Sequence, residues 1–300
     1  MQHKQIFAFL FFNSLFLISF SQLPNTDIWL LDIKDDKGKI TFSNPINITN
    51  RDGYDNQPAF SPDGKYILFT SIREGVQADI YKYDIAGKQT SQFTKTEESE
   101  YSPTFMPDGK FISTVRVEKD SAQRLWKFPV NSGEPTLVTA NVKNVGYHCW
   151  INKDSVALFI LPEPFTLQIA NITTEKTTII DDSIGRCTQK TQKHNAITYT
   201  TKDTSKQAFI HLYKLDKRPS KTIFDLAMKK FKAYKTAEDY VWYSNNTLIM
   251  GSGSELAKAC VDCYDPNWKI IQDLKVFGID KIGRIAISAD RKKIALVTTN

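Results

Sequence analysis

The sequence is short of the residues that usually carry enzyme chemistry. Histidine and cysteine each occur four times in 300 residues. His148, His194 and His211 lie in different parts of the chain without a short ligand spacing, so no metal site is expected. No Gly-x-Ser-x-Gly elbow occurs, since "GSGSE" at 251–255 has the wrong spacing, and no residues are left over for a hydrolase domain. An excess of one charge is missing too. The 39 basic and 33 acidic residues are interspersed, and the formal charge of +6 falls by one once Lys4 leaves with the leader described next. That pattern gives no support to nucleic-acid binding. Neither a cofactor nor a catalytic residue is expected.

Long apolar runs are confined to the start. Residues 1–21 have a short basic beginning (His3, Lys4) and a largely apolar stretch over 6–20. Ser19 and Ser21 then fall at the −3 and −1 positions of a cleavage site. This is the layout of a secretory signal peptide, which predicts an exported chain, periplasmic or extracellular. The stretch is short for a spanning helix and Asn13 interrupts it, so no stable membrane insertion is expected after cleavage.

What the sequence has is a repeat. "FSPDGKYILFT" begins at Phe60 and "FMPDGKFISTV" at Phe105, each a tight turn followed by an apolar run. Weaker copies begin at Trp150, Lys190, Tyr243 and Ile287, with turns near 151–155, 191–195, 244–246 and 288–292. The intervals are 45, 45, 40, 53 and 44 residues, the signature of an array of supersecondary units. Each unit contains a strand a before the turn and a strand b after it. An aromatic-rich strand c follows, such as "DIYKYDI" or "RLWKFPV", and then a short strand d, such as "SQFT" or "TLVT". Pro presets φ in the turn and Gly takes its left-handed residue. No segment longer than two turns has convincing helical periodicity.

The ends of the chain indicate how the array closes. "TDIWLLDI" and "PINIT", just after the leader, are a strand c and a strand d lacking a and b, whereas the last copy has a and b and stops. Strands a and b from the end therefore complete the blade begun by c and d at the start. The expected fold is all-β: residues 22–300 as a six-bladed β-propeller of four-stranded antiparallel blades.

The stretch "YDNQPAFSPDGKYILFTSIREGVQADIYKYDIAGKQTSQFT" resembles the Pro-Asp-type propeller repeat of TolB-like proteins. Residues 54–95 match it at nearly every marked position, residues 101–139 match well, and the other units share its rhythm. The resemblance covers the propeller alone, because only four residues separate the expected cleavage site from the first strand c. It implies an exported six-bladed propeller of a family in which the propeller is a protein-binding platform of the cell envelope.

Within such a propeller, strands a ring the axis and the d-to-a loops rim the channel mouth. One column of the repeat then contains Gln57, Ser102, Tyr147, Cys187, Tyr240 and Arg284, and the column before it Asn56, Tyr101, Gly146, Arg186, Asp239 and Gly283. Tyr54, Asp55, Glu98, Glu100 and Glu238 lie just upstream, and His148 is in a strand a. Tyr and Arg on a rim favour protein contacts. The candidate partner-binding residues are Tyr54, Asp55, Asn56, Gln57, Tyr101, Tyr147, His148, Arg186, Asp239, Tyr240 and Arg284, and the expected partner is an envelope or secreted protein or peptide. The alternative is a carbohydrate-active propeller, a lectin, lyase or glycoside hydrolase, with its site at the same mouth.

Three further segments carry expectations. "CVDC" at 260–263 falls mid-strand, where residues three apart lie ~10 Å from each other, so it closes a disulfide only if the strand breaks there. Cys149 and Cys187, in strands a of adjacent blades, are candidates for a cross-blade bridge. "DLAMKKFKAYKTAEDY" at 225–240 is either a short basic amphipathic helix or a solvated connector.

Overall fold

The computed structural model describes residues 24–299 except 132, 192–194, 216–230, 262 and 265. The predicted leader and His194 lie outside the described residues. The described chain forms six four-stranded antiparallel groups. In blade 2, β3 (Tyr54–Phe60), β4 (Tyr66–Ile72), β5 (Ala78–Asp84) and β6 (Gln89–Gln92) run outward in order. Blade 3 contains β7 (Ser99–Phe105), β8 (Phe111–Val117), β9 (Gln123–Pro129) and β10 (Thr136–Leu137). Blade 4 follows with β11 (Val145–Asn152), β12 (Ser155–Ile160), β13 (Thr166–Asn171) and β14 (Thr177–Asp182). Blade 5 is built from β15 (Ile184–Lys190), β16 (Ala196–Lys202), β17 (Ala208–Lys214) and β18 (Phe231–Lys232). Blade 6 has β19 (Tyr240–Trp242), β20 (Thr247–Ser252), β21 (Glu255–Cys260) and β22 (Lys269–Asp273).

Blade 1 joins the two ends of the chain. β23 (Ile282–Ile287) and β24 (Lys293–Thr299) supply its inner strands, and β1 (Thr26–Asp36) and β2 (Lys39–Asn47) its outer ones. β1 pairs with β24 in continuous register from Thr26↔Thr299 to Asp32↔Lys293, as the split repeat predicts. A single parallel bridge, Thr26↔Tyr54, links blade 1 to blade 2.

The apolar residues explain why the blades must stack. A strand sends alternate side chains to opposite faces, so each central strand serves two interfaces. Ile67 and Phe69 of β4 pack toward blade 1, with Ile28, Leu30 and Val297. Leu68 between them packs toward blade 3, with Ile112 and Phe128. The buried residues resolve into six such clusters, one between each neighbouring pair of blades. The cluster between blades 6 and 1, with Val241, Ile249, Leu256, Leu31, Ile294 and Leu296, completes the ring. β18 in blade 5 and the turns after it occupy 231–237, in the stretch read as either a basic helix or a solvated connector, and residues 225–230 lie outside the described set.

The repeat turn is held by more than its Pro and Gly. Asp63 Oδ1 accepts hydrogen bonds from Ser61 Oγ at 2.7 Å and Lys65 N at 3.1 Å. Those bonds hold its carboxyl below the usual carboxylate range. Asp290 does the same with Ser288 Oγ and Lys292 N. The left-handed position is Gly64 (φ 70°) and Gly109 (φ 66°) in two copies but Arg291 (φ 61°) in the last. A residue with a Cβ is disfavoured there, so Arg291→Gly should stabilise the protein by about 0.5–1 kcal/mol. Thermal unfolding would report this as a Tm rise of roughly 1–2 °C; a fall would contradict it.

Candidate functional site

Five of the six strands nearest the axis share an irregularity. β3, β7, β11, β15 and β23 each slip register against the next strand, at Asn56/Ala59, Tyr101/Thr104, Val145/Tyr147, Ile184/Thr188 and Ile282/Arg284. A bulge re-aims the side chains around it. Here the bulges coincide with the columns that sequence spacing places at the mouth. Gln57 (φ 58°) and Ser102 (φ 55°) are left-handed at this point. Gln57 Oε1 accepts from Ser102 N at 2.8 Å and Thr70 Oγ1 at 2.7 Å, so it bridges blades 2 and 3.

Four blades meet in one polar cluster. Arg186 of β15 donates through Nε to Asp239 Oδ2 at 2.9 Å and through Nη2 to Gly283 O at 2.9 Å. Arg284 of β23 lies 3.8 Å from Asp239 Oδ1, donates to the Tyr147 hydroxyl at 2.7 Å and stacks over that ring at 4.9 Å. Tyr54 stands close enough to sense Arg284, Tyr147, Tyr101 and Arg186; burial drives its hydroxyl pKa up to about 12, chiefly by desolvation. Tyr147, Arg186, Asp239 and Arg284 are therefore brought together, whereas Tyr101 packs against the core between blades 3 and 4.

Other expected rim residues lie below the surface. Asp55 is fully buried, accepting from Ser71 Oγ at 2.5 Å and pairing with Arg51 Nε at 3.0 Å. Asn56 is buried and its Oδ1 caps Gln57 N at 2.8 Å. Tyr240 points into the blade 5–blade 6 core beside Trp242 and Met250 instead of the mouth. The reason is positional. Asp55 lies two residues ahead of Gln57, where a side chain faces the inter-blade seam, and Glu100 occupies the same place ahead of Ser102 with Arg116 at 3.2 Å; Tyr240 shares the Gln57 column, but it lies on β19, which pairs with β20 without a slip. Glu238 also takes this position, with Lys202 at 2.5 Å and Arg186 N at 2.6 Å. These carboxylates latch neighbouring loops.

His148 lines the channel, with Nε2 and Ser113 Oγ 2.7 Å apart, and Trp150 Nε1 donates to the same Oγ at 2.8 Å. Burial lowers its pKa to about 3, so the ring stays neutral. Cys149 and Cys187 are free thiols, so the candidate cross-blade bridge is not formed. Cys260 and Cys263 are disulfide-bonded with Cα atoms 5.4 Å apart. β21 begins at Glu255, ahead of the expected strand c, and ends at Cys260, so the chain turns in time to close the ring. No group of three or more potential metal ligands is present among the described residues.

Cavities open on this face, and two of them share Tyr147 and Arg186. The smaller, about 160 Å3, is the channel beneath Tyr147, Arg186, Asp239 and Arg284. The larger, about 810 Å3, lies between blades 4 and 5 and shares Tyr147 and Arg186 with the channel. Its walls are Tyr147, Phe159, Leu161, Pro164, Phe165 and Ile184, and Glu163, Ser183, Lys202 and Glu238 edge it. Phe159 packs against Phe165 in a tilted pair at 4.7 Å and meets Tyr147 edge-on at 5.5 Å. Gly185 forms part of the floor, and a Cβ there would fall 2.4 Å from Thr200 Oγ1. Spacing from the repeat alone misses this groove, because the strand b-to-c loop of blade 4 supplies one wall through Leu161, Glu163, Pro164 and Phe165. The available signal is "LPEPF" at 161–165, an apolar, proline-rich loop where a polar one is usual.

Comparison with known proteins agrees with the architecture. The family model described as the TolB beta propeller domain matches residues 13–147. No curated protein matches the chain. A TolB candidate from Agrobacterium tumefaciens is similar in structure, with 14% identity, 92% of this chain and 99% of that one covered, and a TM-score of 0.66. A chain of a nidogen–laminin complex gives 8% identity, coverage of 79% and 89%, and a TM-score of 0.55. A puromycin-hydrolyzing peptidase from Mycobacterium tuberculosis gives 10% identity, coverage of 82% and 45%, and a TM-score of 0.51. At these identities the likeness concerns the fold. No helix among the described residues is long and apolar enough to cross a membrane.

Proposed function

We propose that this chain, a TolB-like β-propeller, is an exported binding module that captures an extended polypeptide segment of an envelope or secreted protein on its channel-mouth face. The observation that carries the reading is the groove of about 810 Å3 beside the mouth. Its aromatic and aliphatic walls suit a large apolar side chain, and aromatic anchors flanked by Arg are where binding energy concentrates. Arg186, Tyr147 and Arg284 continue the surface from the groove to the axis, so a bound segment has polar contacts along its backbone. Export rests on the leader-like start and the family likeness.

Glycoside chemistry fits the same face less well. A general acid needs a raised pKa and access to its substrate. Burial pushes Glu238 upward, but bonds from Lys202 and Arg186 N outweigh it and hold the carboxyl below its ordinary value. Glu100 does have a raised pKa, yet it is fully buried against Arg116.

The test is a peptide-display selection on the mature chain, followed by affinity measurement of the recovered sequences. Peptides sharing one large apolar residue are expected. Tyr147→Ala with Phe165→Ala should weaken them about 30-fold or more while the melting curve stays cooperative, as expected when two anchors worth ~1–2 kcal/mol each are lost. Unchanged affinity in a folded double variant would remove the groove from the proposal, and saccharide binding that the same variant abolishes would favour the carbohydrate reading.

A further inference from the structure

The opposite face of blade 6 carries a second site. β21 ends at Cys260, and the disulfide to Cys263 closes a four-residue ring at the strand end. Cys263 is exposed, whereas Cys260 is half-buried. Both line a cavity of about 480 Å3 with Asn246, Thr247, Lys258 and Tyr264, and Tyr264 is fully exposed beside it. Lys258 is two residues before Cys260 on β21, hence on the same side of the sheet. Lys269, directly opposite Lys258 on β22, shares that side.

We infer that Cys260–Cys263 is an exchangeable disulfide that accepts electrons from thiols entering this cavity. Three observations converge. An exposed disulfide is the labile kind, and a two-residue spacer closes too little chain to be a strong entropic clasp. The two sulfurs are unequal, so an incoming thiolate meets Cys263 first while Cys260 is placed to leave. Lys258, whose Nζ donates to Gly38 O at 2.6 Å, and Lys269 both line the cavity, and positive charge there favours the departing thiolate.

The steps balance. A thiolate of the incoming molecule bonds to Cys263 Sγ as the Cys260–Cys263 bond breaks; Cys260 departs with the electron pair and takes a proton from water. A second thiolate attacks the incoming sulfur of the mixed disulfide and releases Cys263, which is protonated in turn. Two thiols become one disulfide, and the cysteine pair gains two electrons and two protons. The chemical class is a small thiol or a cysteine-bearing peptide, and Tyr264 offers an aromatic contact at the cavity edge.

Glutathione is the probe. The mature chain is equilibrated in buffers of varied glutathione redox ratio, alkylated and analysed by mass spectrometry. The 260–263 pair is expected to become reduced as the ratio turns reducing, with Cys149 and Cys187 unmodified in the folded protein. Thermal unfolding of the reduced protein should remain cooperative. In Cys260→Ser the glutathione adduct should form on Cys263, and Lys258→Gln should slow reduction of the native disulfide about two- to fourfold. A pair that stays oxidised in excess glutathione overturns the inference. So does reduction that requires prior unfolding, which would make the bond a structural clasp, or first attack at Cys260 in the native chain.

Discussion

Deleting residues 293–300 should leave a chain that does not fold. That segment carries β24, which pairs with β23 on one side and with β1 on the other. Ile294, Ala295 and Leu296 are completely buried. Ile294 and Leu296 pack toward blade 6, and Ala295 and Val297 pack toward blade 2. The loss therefore opens two of the six interfaces and leaves β1 and β2 without a sheet to join. Circular dichroism should show no cooperative melt, and limited proteolysis should cut throughout. A single cavity at the same place, Leu296→Ala, should cost about 2–5 kcal/mol and leave a foldable protein. If the deleted chain melts like the intact one, the seam is not what holds the ring together.

Removing the guanidinium at position 51 should cost nearly as much as a large core cavity. Arg51→Ala leaves Asp55 fully buried with its ion pair gone, a change worth about 3–5 kcal/mol when the carboxylate must stay charged. Burial already raises the Asp55 pKa despite the opposing bond from Ser71. The protein escapes part of the penalty by protonating Asp55, so the loss should be largest near pH 8 and smaller near pH 5. Glu100, its counterpart in blade 3, gives the complementary result. Burial lifts its pKa from 4.5 to about 7, so the folded state retains a proton that the unfolded state has released between those values. Stability should fall as pH rises across that window, by about 2–3 kcal/mol, and level off above it. Glu100→Gln should flatten the dependence. Chemical denaturation at several pH values measures both; a slope of opposite sign, or one that survives Glu100→Gln, would count against this account.

The two results draw on different parts of the sequence, and these were unequally legible. Blade number and the pairing of the chain ends are visible because the Pro-Asp-Gly turn recurs at a nearly constant interval and the first unit lacks its inner strands. Individual side-chain directions are harder. Asp55 and Tyr240 look like rim residues by position, yet the bulge after Asn56 decides which neighbours in β3 turn to the mouth, while β19 pairs without one, and neither arrangement leaves a fixed sequence mark. The blade 4–blade 5 groove is hidden for another reason. It is lined by residues from β12, the loop after it, β15 and the segment before β19, which spacing alone does not bring together. "CVDC" misleads because β21 starts earlier than in the other blades, after the two-residue Gly253-Ser254 turn, and is finished where the motif begins.

The pairing of Thr26 with Thr299 also sets a timetable. β1 has one partner close at hand in β2, but its other edge belongs to β24, some 270 residues later, so blade 1 is completed only when that segment arrives. A long-range contact of this kind slows the approach to the final state.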